Sequence, residues 1–113
     1  MVNFSPQALD STFAALSDPT RRAILTRLAE GEASILQLKQ PYSMSLPAFS
    51  KHVRVLEQAG LLERRKVGRE HRCRLAPGPL QDASNWLTFY QRFWLGKLDA
   101  LDDYLRHEPP GEP

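Results

Sequence analysis

Cysteine is almost absent from this chain of 113 residues, which contains only Cys73. A single cysteine cannot form an intramolecular disulfide, so the chain is not a disulfide-rich secreted domain. No apolar run approaches the roughly 18 residues that predict a membrane span, and residues 1–14 contain no charged-then-apolar signal segment. These absences predict a cytoplasmic protein that does not act in a membrane.

Catalytic motifs are also missing from the sequence. It contains no glycine-rich phosphate loop, nucleophile elbow or paired-carboxylate arrangement, so we expect neither an enzyme nor a cofactor. Hydrophobic residues make up 42% and charged residues 25%, which are ordinary values for a globular protein and exclude disorder of the whole chain. We predict one domain over residues 1–106 and a disordered tail over residues 107–113, where proline and glycine are frequent.

The net charge is only +2, but the charges are segregated along the chain. The segment from Lys51 to Arg74 holds eight basic and three acidic residues, whereas the remainder holds seven basic and ten acidic residues. A solvated surface ordinarily mixes charges of both signs. A short segment with a net charge of +5 is typical of a surface that binds a polyanion.

Capping residues divide the first sixty residues into four helices. Asp18 and Ser34 are placed to cap the second and third helices, and Ser45 is placed to cap the fourth. Pro19 suits a first helical position, because its missing N–H would have no partner there. Gly60 suits the left-handed position that ends a helix. The predicted helices cover residues 7–16, 18–29, 34–38 and 45–60.

The fourth helix is amphipathic. Phe49, Val53 and Leu56 recur at helical spacing and predict one buried stripe, which Leu46 extends by a turn. The opposite face carries short polar and basic residues rather than mixed charges: Pro47, Ala48, Ser50, Lys51 and Arg54.

After Gly60 the period of the sequence changes from that of a helix to that of a strand. Residues 61–67 and 70–76 flank Gly68-Arg69, where a glycine supplies the positive φ of a tight hairpin turn. In the second segment His71, Cys73 and Leu75 alternate with charged residues, as in a half-buried strand. Residues 80–105 then read as one long helix with two apolar faces, more than one small domain can cover.

Two short helices followed by a basic hairpin form the order of a winged helix-turn-helix, a mostly α fold with a small β-hairpin wing. The major groove of DNA accepts one helix, whose N-terminal residues reach the base edges. We therefore predict that the polar face of the fourth helix contacts DNA and that Ser45 lies where the helix terminus favours a phosphate. Lys66 and Arg69, at the hairpin tip, are predicted to contact the backbone or the minor groove.

The segments "FAALSDPTRRAILTRLAEGEASILQL" and "LPAFSKHVRVLEQAGLLERRKVGREHRCRL" closely resemble the ArsR-type winged helix-turn-helix regulators of bacteria. The resemblance runs from about Leu9 to Leu105. It implies recognition of operator DNA by the helix around Ser50, Lys51 and His52, and repression by blocking a promoter, its own or a neighbouring one. It also implies a homodimer built through the first and last helices. The expected dimer residues are Leu9, Phe13, Leu87, Tyr90, Trp94, Leu98 and Leu101.

The chain departs from the metal-sensing members of that family. Such members resemble one another in a cysteine pair before the recognition helix, where this chain has "SILQLKQ", or in acidic and histidine sets on the last helix. Cys73 alone cannot assemble a thiolate site within one protomer. The chain therefore resembles a branch that does not sense metals, and its effector is an unknown small molecule or a redox change, if it has one.

Several alternatives stay open at the level of the sequence. His52 either packs as a neutral histidine at the edge of the core or touches a phosphate. The aromatic residues of the last helix form a dimer interface or a ligand pocket, and Cys73 is either a small half-buried apolar residue or a redox switch. The rival function is a protein-interaction module that keeps the fold without reading DNA. Salt separates the two functions, because DNA binding weakens steeply as counterions are released.

Overall fold

The computed structural model describes residues 6–107, in which five helices and three strands follow one another. The tail predicted over residues 107–113 lies outside the described residues, except for His107, which ends the last helix. The elements are α1 (Pro6–Leu16), α2 (Pro19–Leu28), β1 (Ala33–Ser34), α3 (Ile35–Lys39), α4 (Leu46–Gln58), β2 (Leu62–Val67), β3 (Glu70–Leu75) and α5 (Gly78–His107).

The predicted helix caps are confirmed. The Asp18 carboxylate accepts a hydrogen bond from the backbone N–H of Arg21 at 3.0 Å. The Ser45 hydroxyl accepts one from the backbone N–H of Ala48 at 3.2 Å. Ser34 forms a reciprocal capping box with Gln37, which satisfies two otherwise unpaired N–H groups. Each cap joins residues three apart, so the sequence alone is sufficient to place it.

The buried stripe of α4 is confirmed in part. Phe49, Val53 and Leu56 are completely buried and pack with residues of α2, α3 and β2 in the hydrophobic core. The prediction that Leu46 extends this stripe is wrong, because the Leu46 side chain is 43% exposed. Leu46 is the first residue of the helix, where the chain has just arrived from a loop and the core no longer lies beneath it.

The predicted hairpin belongs to a three-stranded antiparallel sheet with the order β1-β3-β2. The hairpin register pairs Leu62 with Leu75 and Val67 with Glu70 around Gly68, whose φ is +64°. The additional strand β1 has only two residues, and Ala33 pairs with Cys73. Cys73 is buried at that point, whereas His71 on the same strand face is exposed, because the hairpin tip extends past the core.

Two arginines of the "DPTRR" segment hold α1 against α2. The Arg21 guanidinium donates to the carbonyl oxygens of Ala15 at 2.8 Å and Ala14 at 3.2 Å. Arg22 donates to the Leu16 carbonyl at 2.8 Å. These carbonyls belong to the last turn of α1, where they have no partner within the helix and where a positive charge is favourable.

The chain divides into two compact units, one ending at Ala83 and the other beginning at Ser84. The first contains the hydrophobic core, the sheet and the first turns of α5. In the second, every described residue from Phe89 to His107 is exposed, although many of them are apolar. Within residues 6–107, no helix combines the length and the hydropathy that a membrane span requires.

Candidate nucleic-acid interface

The polar face of α4 is presented to solvent, opposite the buried stripe. Pro47, Ala48, Lys51 and Arg54 are exposed, and Ser50 is half-buried. Because the core holds Phe49, Val53 and Leu56 firmly, the orientation of this face is set by packing rather than by its own side chains. A rigid helix that presents small and basic side chains can be inserted into a major groove.

His52 connects α4 to the start of α2. Its Nδ1 lies 3.2 Å from the Arg21 guanidinium and 3.7 Å from the Asp18 carboxylate. An arginine N–H can only donate, so Nδ1 accepts this hydrogen bond, and in the neutral ring Nε2 carries the hydrogen. The ring therefore lies at the edge of the fold with one nitrogen engaged, and Nε2–H is a hydrogen-bond donor of the kind a phosphate accepts.

Asp18 is held ionised at this junction. Partial desolvation raises its pKa, but the hydrogen bond from the Arg21 backbone and the neighbouring His52 and Arg21 charges outweigh that effect and lower the pKa below its usual value. The carboxylate thus caps α2 and faces His52 at once. The sequence identified Asp18 as a cap but contained no local signal for its contact with His52, which is 34 positions away.

Ion pairs divide the eight basic residues of the segment 51–74 into two groups. Four arginines are paired: Arg64 with Glu57 at 2.7 Å, Arg65 with Glu32 at 3.3 Å, Arg72 with Glu32 at 3.0 Å, and Arg74 with Glu63 at 2.8 Å. The other four are Lys51, Arg54, Lys66 and Arg69, and none of them is ion-paired within residues 6–107. All four are exposed, and all four are predicted DNA contacts.

Glu32 is the acidic residue that the linear charge count did not include. The Arg72 hydrogen bond and the Arg65 charge lower the pKa of Glu32, so the carboxylate is ionised at neutral pH and offsets part of the positive charge on the strands. The cationic surface of the folded protein is therefore concentrated on α4 and on the hairpin tip, rather than spread over the whole segment.

A groove of about 390 Å³ lies between the recognition helix α4 and the hairpin tip, which we call the wing groove. Leu46, Ser50 and Arg54 line it from α4, and Arg69, Glu70 and His71 line it from the hairpin, with the remaining walls formed by Ser34, Ile35, Leu36 and Arg64. Predicted contacts from both elements thus share one surface feature. Leu36 is 67% exposed, and the sequence reasoning did not single it out.

Cys73 is enclosed in the core under the sheet. Its side chain is completely buried, and burial raises the pKa of the thiol to about 11. The nucleophilic and metal-binding form is the thiolate, so a thiol with this pKa is unreactive at neutral pH. Of the two interpretations left open by the sequence, these properties are those of a small apolar core residue.

The predicted dimer residues are accessible. Leu87, Tyr90, Trp94, Leu98 and Leu101 of α5 are between 45% and 63% exposed. Leu9 and Phe13 of α1 are half-buried, and the buried positions of that helix are Thr12 and Ala15. Neighbouring aromatic rings stack along α5, where Trp86 and Tyr90 have centroids 4.8 Å apart. Apolar surface of this extent is typical of an interface with another molecule.

Comparison with known proteins connects this arrangement to transcriptional regulators. A helix-turn-helix domain family matches residues 16–65, from the end of α1 into β2. The transcriptional repressor SdpR of Bacillus subtilis is 33% identical over 79 residues, which are 70% of this chain and 88% of that protein. The crystal structure of an ArsR family transcriptional regulator is 39% identical, with a TM-score of 0.76 over 83% of this chain and 96% of the other.

A more distant likeness concerns the fold alone. The homodimeric winged helix-turn-helix DNA-binding domain of a possible ArsR-family regulator from Mycobacterium bovis is 23% identical, with a TM-score of 0.61 over 95% of this chain and 90% of that chain.

The predicted fold is confirmed: five helices, a three-stranded antiparallel sheet and a hairpin wing form a winged helix-turn-helix. The relatives are regulators of transcription rather than enzymes. Fold, sequence identity and coverage agree, and the chain belongs to the ArsR family of winged helix-turn-helix transcriptional regulators.

Proposed function

We propose that the protein is a homodimeric repressor that binds double-stranded operator DNA through α4 and the hairpin wing, at its own or a neighbouring promoter. The observation that carries this proposal is the ion-pair pattern. The four cations on α4 and at the wing tip have no carboxylate partner among the described residues, whereas the four on the strands do. Unpaired exposed cations on a rigid helix and an adjacent hairpin are suited to phosphates and base edges.

Each predicted contact has a role that follows from its position. Ser50, Lys51 and Arg54 face the major groove and supply hydrogen-bond donors to base edges or phosphates. The other α4 contacts are at the helix start: Ser45 and the free N–H groups beside it favour a phosphate, and Pro47 and Ala48 allow close approach. His52 offers Nε2–H to a phosphate while Arg21 holds its ring. Lys66 and Arg69 contact the neighbouring backbone or minor groove.

The homodimer is supported by α5 and by the likeness in fold to a homodimeric domain. A second copy of the same helix offers a self-complementary apolar surface, as a twofold interface requires. The two recognition helices would then read two half-sites about 34–36 Å apart, one turn of DNA. Repression follows if the bound dimer occupies promoter sequence, and the similar Bacillus subtilis protein is a transcriptional repressor.

We also place the protein in the branch of the family that does not sense metals. Among residues 6–107, no group of three or more histidine, cysteine or acidic side chains is arranged to hold a metal ion. Cys73, with its protonated and buried thiol, offers no ligand. Operator affinity should therefore be the same after dialysis against a chelator as after addition of zinc. As a DNA-binding regulator it would act in the cytoplasm.

The test is fluorescence anisotropy with the DNA upstream of the protein's own coding region, beside scrambled DNA of equal length, at several salt concentrations. Specific regulation predicts tight, salt-sensitive binding that prefers the upstream fragment. Lys51→Ala should reduce that preference by about 1–3 kcal/mol, the value of a base contact. Lys97→Ala, which removes a lysine from α5, is the matched control. Unchanged affinity and preference in Lys51→Ala would count against α4 as the reading helix.

A further inference from the structure

The wing groove combines two kinds of side chain that a surface for DNA alone does not require together. Arg54 and Arg69 line it with unpaired positive charges. Leu36 and Leu46 line the same groove and are 67% and 43% exposed. Phosphates need only the cations, so the two exposed leucines beside them call for a separate explanation.

The charge of the groove is positive after its internal pairs are taken into account. Arg64 is matched by Glu57 at 2.7 Å, and Glu70 by Arg72 at 3.2 Å. Arg54 and Arg69 then remain as the cations in excess, with the Ser50 hydroxyl and the exposed His71 ring as further polar groups. An occupant of this groove would gain most from an anionic group.

The size of the groove is that of a small-molecule site. Its volume of about 390 Å³ falls within the roughly 300–1,000 Å³ of known ligand pockets. Such pockets have largely apolar linings with a few polar groups that fix the orientation of the ligand. Here Ile35, Leu36 and Leu46 form the apolar wall, while the arginines lie on α4 and on the hairpin.

We propose that the wing groove binds a small organic anion with an apolar body, whose acidic group contacts Arg54 and Arg69 and whose body covers Leu36 and Leu46. The inference deepens the proposed function and rests on it in one respect. Arg54 and Arg69 are also predicted DNA contacts, so a bound anion and a DNA phosphate compete for the same guanidinium groups. A ligand of this class therefore releases the operator by direct exclusion, without a conformational change.

The experiment uses anilinonaphthalene sulfonate, an aromatic anion, and phenylnaphthylamine, which has the same aromatic body without the sulfonate. Each is added to the full-length protein and followed through backbone amide chemical shifts. The sulfonate should shift the amides of residues around the wing groove, and the neutral analogue should bind at least about fivefold more weakly because it lacks the charge-assisted contacts.

Two leucine variants locate the binding. Leu36→Gln should weaken sulfonate binding by about fivefold or more and change DNA affinity by less than about twofold, because Leu36 is not a predicted DNA contact. Leu95→Gln is the matched control: Leu95 is 52% exposed on α5, outside the groove, and its replacement should leave the affinity for the sulfonate unchanged. Added operator duplex should displace the sulfonate from the groove.

Other results would overturn the proposal in distinguishable ways. Shifts confined to α5, or weakening by Leu95→Gln but not by Leu36→Gln, would remove the site. Simultaneous binding of sulfonate and duplex would remove the competition. If the protein bound no DNA at all, the proposed function would fail, while the chemical shifts would still decide whether the groove takes the anion.

Discussion

The two cations at the wing tip allow the most quantitative test of the proposed DNA interface. Lys66 and Arg69 flank the Gly68 turn, are exposed, and have no ion-pair partner among the described residues. The perturbation is the double replacement of Lys66 and Arg69 by glutamine, which removes both charges and keeps most of each side chain's length. Both residues lie outside the core, so we expect the folded structure to be retained.

The expected magnitude follows from counterion release. Each phosphate neutralised by a cation contributes about 0.9 to the slope of log K against log salt concentration, so losing two contacts should flatten the slope by about 1.8. If the wild-type and variant lines meet near 1 M salt, the variant at 0.1 M should bind about 1.8 log units, or roughly 60-fold, more weakly. The loss should be similar for upstream and scrambled DNA, because backbone contacts contain no sequence information.

The control removes the same number of charges from the same hairpin. Arg65 and Arg74 are exposed arginines on the strands, but each faces a carboxylate, Glu32 and Glu63 respectively. Replacing both by glutamine alters the net charge by the same amount without removing a predicted phosphate contact. Anisotropy titrations at four or more salt concentrations then compare the slopes of the wild type and both variants.

The comparison can refute the reasoning in two ways. Equal slopes for the wild type and the Lys66/Arg69 variant would show that the wing tip does not contact phosphates. Equal flattening in both double variants would show that the total charge of the hairpin matters and that its ion pairs do not select the contacts.

Three further predictions concern the dimer, the thiol and the helix end. Leu98→Glu should raise the dimer dissociation constant by at least about a hundredfold, because it places a charge in an apolar interface, whereas Asp99→Ala should remain dimeric; sedimentation would detect either a wild-type monomer or an unaffected variant as a contradiction. Cys73, with a thiol pKa of about 11, has roughly three thiolates in ten thousand at pH 7.5. Iodoacetamide should therefore modify it quickly only in urea, and loss of operator binding on mild oxidation would show a redox role. Gly60→Ala should lower the free energy of unfolding by about 1–2 kcal/mol, because φ is +75° and a Cβ would lie 3.4 Å from Pro79 Cγ; equal urea midpoints would contradict this.

The elements that the sequence predicted well are those whose causes are local. Asp18, Ser34 and Ser45 each cap a helix through a hydrogen bond to a residue three positions later. Gly60 and Gly68 occupy the positive-φ positions at which a helix ends and a hairpin turns. In each case the determining interaction lies within a few residues, so the sequence window contains its whole cause.

Errors and omissions arose where the surroundings of a residue decided the outcome. Leu46 has the spacing of the buried stripe but lies beyond the edge of the core, so it is exposed. Strand β1 has only two residues, too few for a period to be recognised, and it exists because β3 offers an edge to pair with. Arg21 looks like an ordinary helical arginine until the end of α1 is placed beside it.

The sequence by itself determined that positive charge gathers between Lys51 and Arg74, because composition along a chain is independent of folding. Only the tertiary structure decided which of those charges are available to a partner. Glu32 lies 33 positions before Arg65 and 40 before Arg72, and it reaches both because β1 pairs with β3. Since ion pairs depend on distances of a few ångströms in space rather than on separation in sequence, folding neutralises the strand arginines and leaves Lys51, Arg54, Lys66 and Arg69 for DNA.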